Sequence, residues 1–154
     1  MSMIKDPSLY EAGDKKIAWV RDFMPVLRTL EARFTAEKPF AGLRVALSVH
    51  LEAKTAYLCH VLRTGGADMF ITGSNPLSTK DEICASLVKS SFEVNAWFNA
   101  TEVEYEEHLR KTLECRPHII IDDGGDLVHM LHETHPGYAS DMIGGCEETT
   151  TGIH

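Results

Sequence analysis

The run Ile119-Ile120-Ile121-Asp122-Asp123-Gly124-Gly125-Asp126 constrains the fold more than any other stretch of the chain. Three consecutive β-branched apolar residues read as a strand buried on both faces, as in a parallel sheet covered by helices. The strand gives way at once to carboxylates and glycines. In open α/β sheets, ligands sit outside the carboxyl ends of the strands. Glycines there let backbone approach a ligand, and carboxylates grip hydroxyls or move protons. A helix N-cap at Asp123 or Asp126, ahead of a helix starting near Leu127, explains one aspartate but not three around a Gly-Gly. The run Glu147-Glu148-Thr149-Thr150-Thr151-Gly152 repeats the polar, glycine-bearing pattern further on.

The remaining elements alternate. Ile17, Val20, Phe23, Met24, Leu27, Leu30 and Phe34 recur at helical spacing, and Pro25 either kinks one long helix or opens a second. Residues 43–49 read as a first strand. A helix follows over 53–63, closed by Gly65-Gly66, and then a strand over 68–72. Ser78 or Thr79 caps a helix to about Ser90, with Glu82 completing a capping box if Thr79 is the cap. A strand over 93–97, a helix over 101–115, the strand 118–122, a helix over 127–133 and a short strand at 142–144 complete the chain. This order predicts an α/β fold: three layers, doubly wound, with a mainly parallel Rossmann-like or flavodoxin-like sheet and an N-terminal helical stretch. No G-x-G-x-x-G is present, so the sheet lacks its own dinucleotide fingerprint.

With 154 residues the chain is one domain, and its 44% hydrophobic and 25% charged residues are ordinary for a globular one. A net charge of −8 without Lys/Arg clusters argues against nucleic acid and anionic membranes. No apolar run has membrane-spanning length and the N-terminus lacks a signal-peptide core, so the cytoplasm is expected. Cys59, Cys84, Cys115 and Cys146 are scattered and read as reduced thiols. His129, His132 and His135 suggest a metal motif, but on a helix the first and third diverge, and no metal is expected.

In a parallel sheet, the loops bearing His50, Asn75, Asp123 and Glu148 all lie at one edge, where a histidine among carboxylates forms an acid/base pair. The motifs Asp122-Asp123-Gly124-Gly125-Asp126-Leu127 and Glu147-Glu148-Thr149-Thr150-Thr151-Gly152-Ile153-His154 resemble the adenosylhomocysteinase (S-adenosyl-L-homocysteine hydrolase) family. Ser74-Asn75-Pro76-Leu77-Ser78-Thr79, the His50 motif and Met24-Pro25 extend the resemblance over essentially the whole chain.

The resemblance implies chemistry in which NAD oxidises the ribose 3′-hydroxyl, homocysteine is eliminated, water adds at the 5′ carbon and the ketone is reduced again. It implies catalytic roles for His50 and Asp123 and substrate contacts from Glu52, Lys54, Asn75, Asp123 and Glu148. Thr149, Thr150 and Thr151 would contact NAD. It further implies that residues 1–154 are the N-terminal substrate-binding portion, inactive alone. The NAD-binding domain and a catalytic Lys and Asp would lie beyond it, in a homo-oligomer, dimer or tetramer.

The chain departs from the familiar H-M-T-x-E-T-A: His50-Leu51-Glu52-Ala53-Lys54-Thr55-Ala56 stands there, resembling a prokaryotic-type subgroup and leaving the nucleobase open. S-adenosyl-L-homocysteine is the expected substrate and S-inosyl-L-homocysteine the alternative; a nucleoside-binding module without turnover is a third reading. Glu52 and Lys54 either read the base or pair with each other in solvent.

Overall fold

A computed structural model describes residues 1–153; His154, the last residue of the motif named above, lies outside the described residues. The elements run α1 (Tyr10–Asp22), α2 (Pro25–Glu37), β1 (Arg44–Ser48), α3 (Ala53–Thr64), β2 (Asp68–Thr72), α4 (Asp81–Lys89), β3 (Glu93–Val94), α5 (Glu102–Leu113), β4 (Ile119–Asp122), α6 (Asp126–Thr134) and β5 (Gly144–Glu147). All five strands are parallel, in the order β3-β2-β1-β4-β5. This is the strand order of the Rossmann sheet, whose winding reverses between β1 and β4.

The pleat sorts side chains between two cores. Val45 and Leu47 of β1 point to the cluster under α1, α2, α3 and α4, and Ile119 and Ile121 of β4 pack against it. Ala46 and Ile120 point to the opposite cluster, with Leu109 and Leu113 of α5 and Leu127 and Leu131 of α6. Successive strand residues face opposite sides, so a strand buried on both faces needs apolar residues throughout. Among the described residues, no helix is long and apolar enough to cross a membrane.

Several boundaries differ from the sequence expectations, each for a local reason. Pro25 opens a second helix at its first turn, one of the two outcomes its position allowed, but the break at Phe23–Met24 swings Phe23 out of the apolar stripe to 65% exposure. Thr79 is not the α4 cap: its hydroxyl lies 3.1 Å from the Asn75 carbonyl in the preceding turn, so α4 begins only at Asp81. Glu82 instead pairs with Lys16 of α1. The capping box forms at α5, between Thr101 and Glu104.

The edge strand β3 pairs with β2 over two residues only. Its outer side is taken by the N-terminus, where Met3 N–H donates to the Val94 carbonyl and Ala96 N–H to the Met3 carbonyl. The last strand lies later than 142–144, at Gly144–Glu147, because residues 136–141 wind into a 3-10 helix first. Gly66, at φ +96, ends α3 as expected, with Gly66 N–H donating to Arg63 and Ala67 N–H to Leu62.

Candidate functional site

The carboxyl ends of β1 and β4 flank the point where the winding reverses, and the chain places the candidate residues His50 and Asp123 there. The register sets Ser48 opposite both Asp122 and Thr72, so the loops that follow leave the sheet side by side. His50 and Asp123 meet across this gap, with Nε2 and Oδ2 3.3 Å apart. The His50 side chain is 51% exposed and that of Asp123 only 8%, so a fixed carboxylate orients an accessible imidazole. Ser74, after β2, donates its hydroxyl to the same Oδ2 at 2.8 Å. The Thr55 hydroxyl donates to the His50 carbonyl at 2.6 Å and pins the start of the loop.

The three aspartates of the Asp122–Asp126 loop take separate positions. Asp122, fully buried, accepts from Val128 N–H at 2.9 Å and Asp123 N–H at 3.0 Å, and so satisfies the first turn of α6. Neither Asp123 nor Asp126 makes that cap; Gly125 occupies the N-cap position with φ 84. Burial raises the Asp122 pKa against the lowering pull of the Val128 and Asp123 N–H groups. Asp126 lies within 2.9 Å of the Tyr105 hydroxyl.

The two glycine-bearing motifs hold each other. Glu147 Oε1 accepts from Gly124 N–H at 2.8 Å, from Thr149 N–H at 2.9 Å and from the Thr149 hydroxyl at 2.7 Å. The Gly124 N–H and the Thr149 hydroxyl hold this carboxyl below its usual pKa. Gly125 faces Gly152 closely, and a side chain on Gly152 would collide with the Glu147 carboxylate. Glu147 is thus a tie between loops, and its neighbour Glu148 is free to face outward.

Glu148 lines a cavity of about 560 Å³ together with His50, Glu52, Lys54, Thr55, Val49, Met24, Leu27 and Leu58. Its size and its mix of an apolar wall with a few polar groups suit a small organic ligand. Glu52 holds the N-cap position of α3 but makes no capping bond, and Lys54 Nζ lies 4.0 Å from its Oε1. Both are exposed, so this pair contributes little stability and leaves both ends open to a ligand. Asn75 does not line the cavity: its Oδ1 accepts from Leu77 N–H in the turn after β2. Thr150 and Thr151 are exposed beside Gly152, while the Thr149 hydroxyl is engaged by Glu147. The His129, His132 and His135 run stays dispersed, since His135 stacks on Tyr138 with centroids 5.0 Å apart and the other two are exposed.

Ser74 stands in the resembling motif with no role of its own implied, and Met24 and Leu27 belong by spacing to the helical stripe; the structure sets Ser74 against Asp123 and the other two in the cavity wall. The Met24-Pro25 pair carried the missed signal, because a proline at a helix start turns the preceding residue out of the helical stripe.

The sequence profile of S-adenosyl-L-homocysteine hydrolase matches residues 1–140. The chain belongs to the S-adenosyl-L-homocysteine hydrolase family. Among its relatives, an S-inosyl-L-homocysteine hydrolase of Methanocaldococcus jannaschii is 46% identical over 153 residues, covering 99% of this chain and 37% of that protein. The S-inosyl-L-homocysteine hydrolase of Methanopyrus kandleri is 48% identical over 151 residues, 98% of this chain and 36% of the relative. An adenosylhomocysteinase of Sulfolobus acidocaldarius is 45% identical over 150 residues, with 97% and 36% covered. This S-adenosyl-L-homocysteine hydrolase family member therefore spans little more than a third of the length of these relatives.

Proposed function

We propose that residues 1–154 form the substrate-binding portion of an NAD-dependent hydrolase that splits a purine nucleoside thioether into nucleoside and L-homocysteine. The observation that carries this reading is the His50–Asp123 pair at the mouth of a cavity walled by Met24, Leu27 and Leu58. The apolar wall suits the faces of a base, and Glu148 suits vicinal ribose hydroxyls, which a carboxylate accepts from. His50 and Asp123 are then placed to hold and move a proton at the 5′ end. NAD, when bound, supplies the hydride acceptor at the ribose. Thr150 and Thr151 offer hydroxyls for the sugar or amide groups of that cofactor. No glycine cradle for a pyrophosphate stands in the β1–α3 loop, where buried Leu51 and the charged Glu52 lie instead. The same reading makes the complete protein a cytoplasmic homo-oligomer, dimer or tetramer, with its dinucleotide site largely outside this chain.

S-Adenosyl-L-homocysteine is the substrate this family reading gives first. The uncapped Glu52 and the neighbouring Lys54 favour a second, S-inosyl-L-homocysteine. Glu52 can accept from the N1–H of hypoxanthine while Lys54 donates to O6; with adenine, Glu52 accepts from N6 and Lys54 donates to N1. Relatives of both names share about the same identity with the chain. The test is competition between the two thioethers on the full-length protein that carries this chain, repeated with Lys54→Glu. We expect the inosyl compound to be accepted at least as well as the adenosyl one, and the variant to lose it by roughly tenfold or more, the scale of an unpaired polar group. Strong rejection of the inosyl compound by both proteins removes Lys54 from base reading. Release of no homocysteine from either compound leaves a nucleoside-binding module without turnover.

A further inference from the structure

Asp123 owes its orientation to a contact one step removed from the cavity. Its Oδ2 takes the Ser74 hydroxyl, and Ser74 belongs to an irregular turn with no strand to fix it. That peptide is held at both ends. The Ser74 N–H donates to the Val49 carbonyl at 3.3 Å, and the Ser74 carbonyl faces the Tyr105 hydroxyl at 3.0 Å. The same phenol lies 2.9 Å from Asp126 Oδ2, in the loop that carries Asp123. One hydroxyl thus stands within reach of two acceptors on two loops, from a side chain in the first turn of α5. Sequence order gives no hint of this, since Tyr105 is 31 residues from Ser74 and 21 from Asp126.

We propose that Tyr105 is a positioning residue for the Asp123 carboxylate, acting through Ser74. The inference rests on the reading of His50 and Asp123 as the acid/base pair. Burial, reinforced by Asp126 and Asp122, pushes the phenol pKa well up, so the hydroxyl remains a donor throughout the working pH range. Without it, the Ser74 carbonyl keeps no donor among the described residues, the turn relaxes, and the Ser74 hydroxyl no longer meets Oδ2 squarely. A carboxylate displaced by a fraction of an ångström still binds substrate but transfers a proton poorly.

Tyr105→Phe keeps the ring and its packing and removes only the hydroxyl. In the full-length protein we expect kcat to fall by about ten- to a hundredfold while KM changes by less than about twofold. Ser74→Ala should give a similar split, and the double variant should be no slower than the slower single one, because both act along one chain of contacts. A purely structural role for Tyr105 would instead lower Tm and disturb kcat and KM together, additively with Ser74→Ala. The second measurement does not depend on turnover: a crystal structure of the Tyr105→Phe chain, in which Asp123 Oδ2 should leave both Ser74 Oγ and His50 Nε2. Asp123 keeping both contacts there overturns the proposal even if the wild type is inactive, and an unchanged kcat in an active enzyme overturns it as well. Wild-type inactivity towards both thioethers counts against the functional reading alone.

Discussion

Asp122, Asp123 and Asp126 share one loop, and their surroundings divide the labour among them. Asp122 is consumed by backbone N–H groups at the start of α6. Asp126 is turned to Tyr105. Asp123 alone combines near-complete burial with a contact to an exposed imidazole. Replacing it by Asn keeps the shape and the Ser74 contact but removes the charge and the proton-accepting oxygen. In the full-length protein, Asp123→Asn should therefore lower kcat by roughly two orders of magnitude or more, the scale of one acid/base group. Its thermal midpoint should stay close to wild type, because the ionisable partner that loses a charged neighbour, His50, is half exposed. An undiminished rate of homocysteine release by the variant would take Asp123 out of the reaction.

Elements that rest on apolar runs were readable before the structure; those set by a competing polar partner were not. Residues 119–121 announced a central strand, and the helix over 53–63 ended at its glycine pair. Two stretches carried the same capping signal, Thr79 to Glu82 and Thr101 to Glu104, and only the second is used. The first fails because a carbonyl four residues back lies within reach of the Thr79 hydroxyl and Lys16 claims Glu82, which are tertiary facts. Likewise, the outer edge of β3 is completed by the N-terminus, through a bridge between Met3 and Asn95 that lie 92 residues apart. That His50 meets Asp123 and shares a cavity with Glu148 followed from their positions after strands, while the cavity wall from α2 depended on how that helix docks.

Helix packing also sets a pH dependence. His60 on α3 sits edge-on to Phe92, centroids 4.9 Å apart, with Arg63 over the same ring. Burial, and then the Arg63 charge, lowers its pKa to about 4. Burial lowers that of His108 on α5 in the same direction. The unfolded chain takes up these protons near pH 6.5, whereas the folded chain resists until lower pH. Stability contributed by neutral His60 is therefore complete above pH 6.5 and is lost as the pH falls from there to about 4. Urea midpoints of the wild type should drop across that window, and those of His60→Gln should drop less, His108 retaining part of the slope. Parallel curves for the two proteins would show that His60 titrates no differently folded than unfolded.

At the scale of the molecule, the Rossmann strand order and the missing fingerprint have to be reconciled. The crevice between the ends of β1 and β4 is where such a sheet takes a dinucleotide. Here that crevice holds His50, Asp123 and Ser74, and its neighbouring cavity presents Glu52, Lys54 and Glu148. On the proposed reading, a fold whose crevice usually takes a pyrophosphate offers groups for a neutral, hydroxyl-rich nucleoside instead. The cavity is formed by β1, α2, α3 and the β5 loop within this chain, so the chain should bind the thioether by itself. Occupancy at a hundredfold excess over Kd stabilises a fold by about 2.7 kcal/mol, which for a domain of this size raises Tm by roughly 5–10 °C. The expected result with the 154-residue chain is thus a thermal shift with S-adenosyl- or S-inosyl-L-homocysteine and none with NAD. A colorimetric thiol assay should detect no homocysteine under the same conditions, with or without NAD, because hydride transfer needs a cofactor held where this chain has only threonine hydroxyls to offer. A shift with NAD alone, or steady release of thiol, would mean that the chain holds the dinucleotide after all and that its glycine-free β1–α3 loop has been misread.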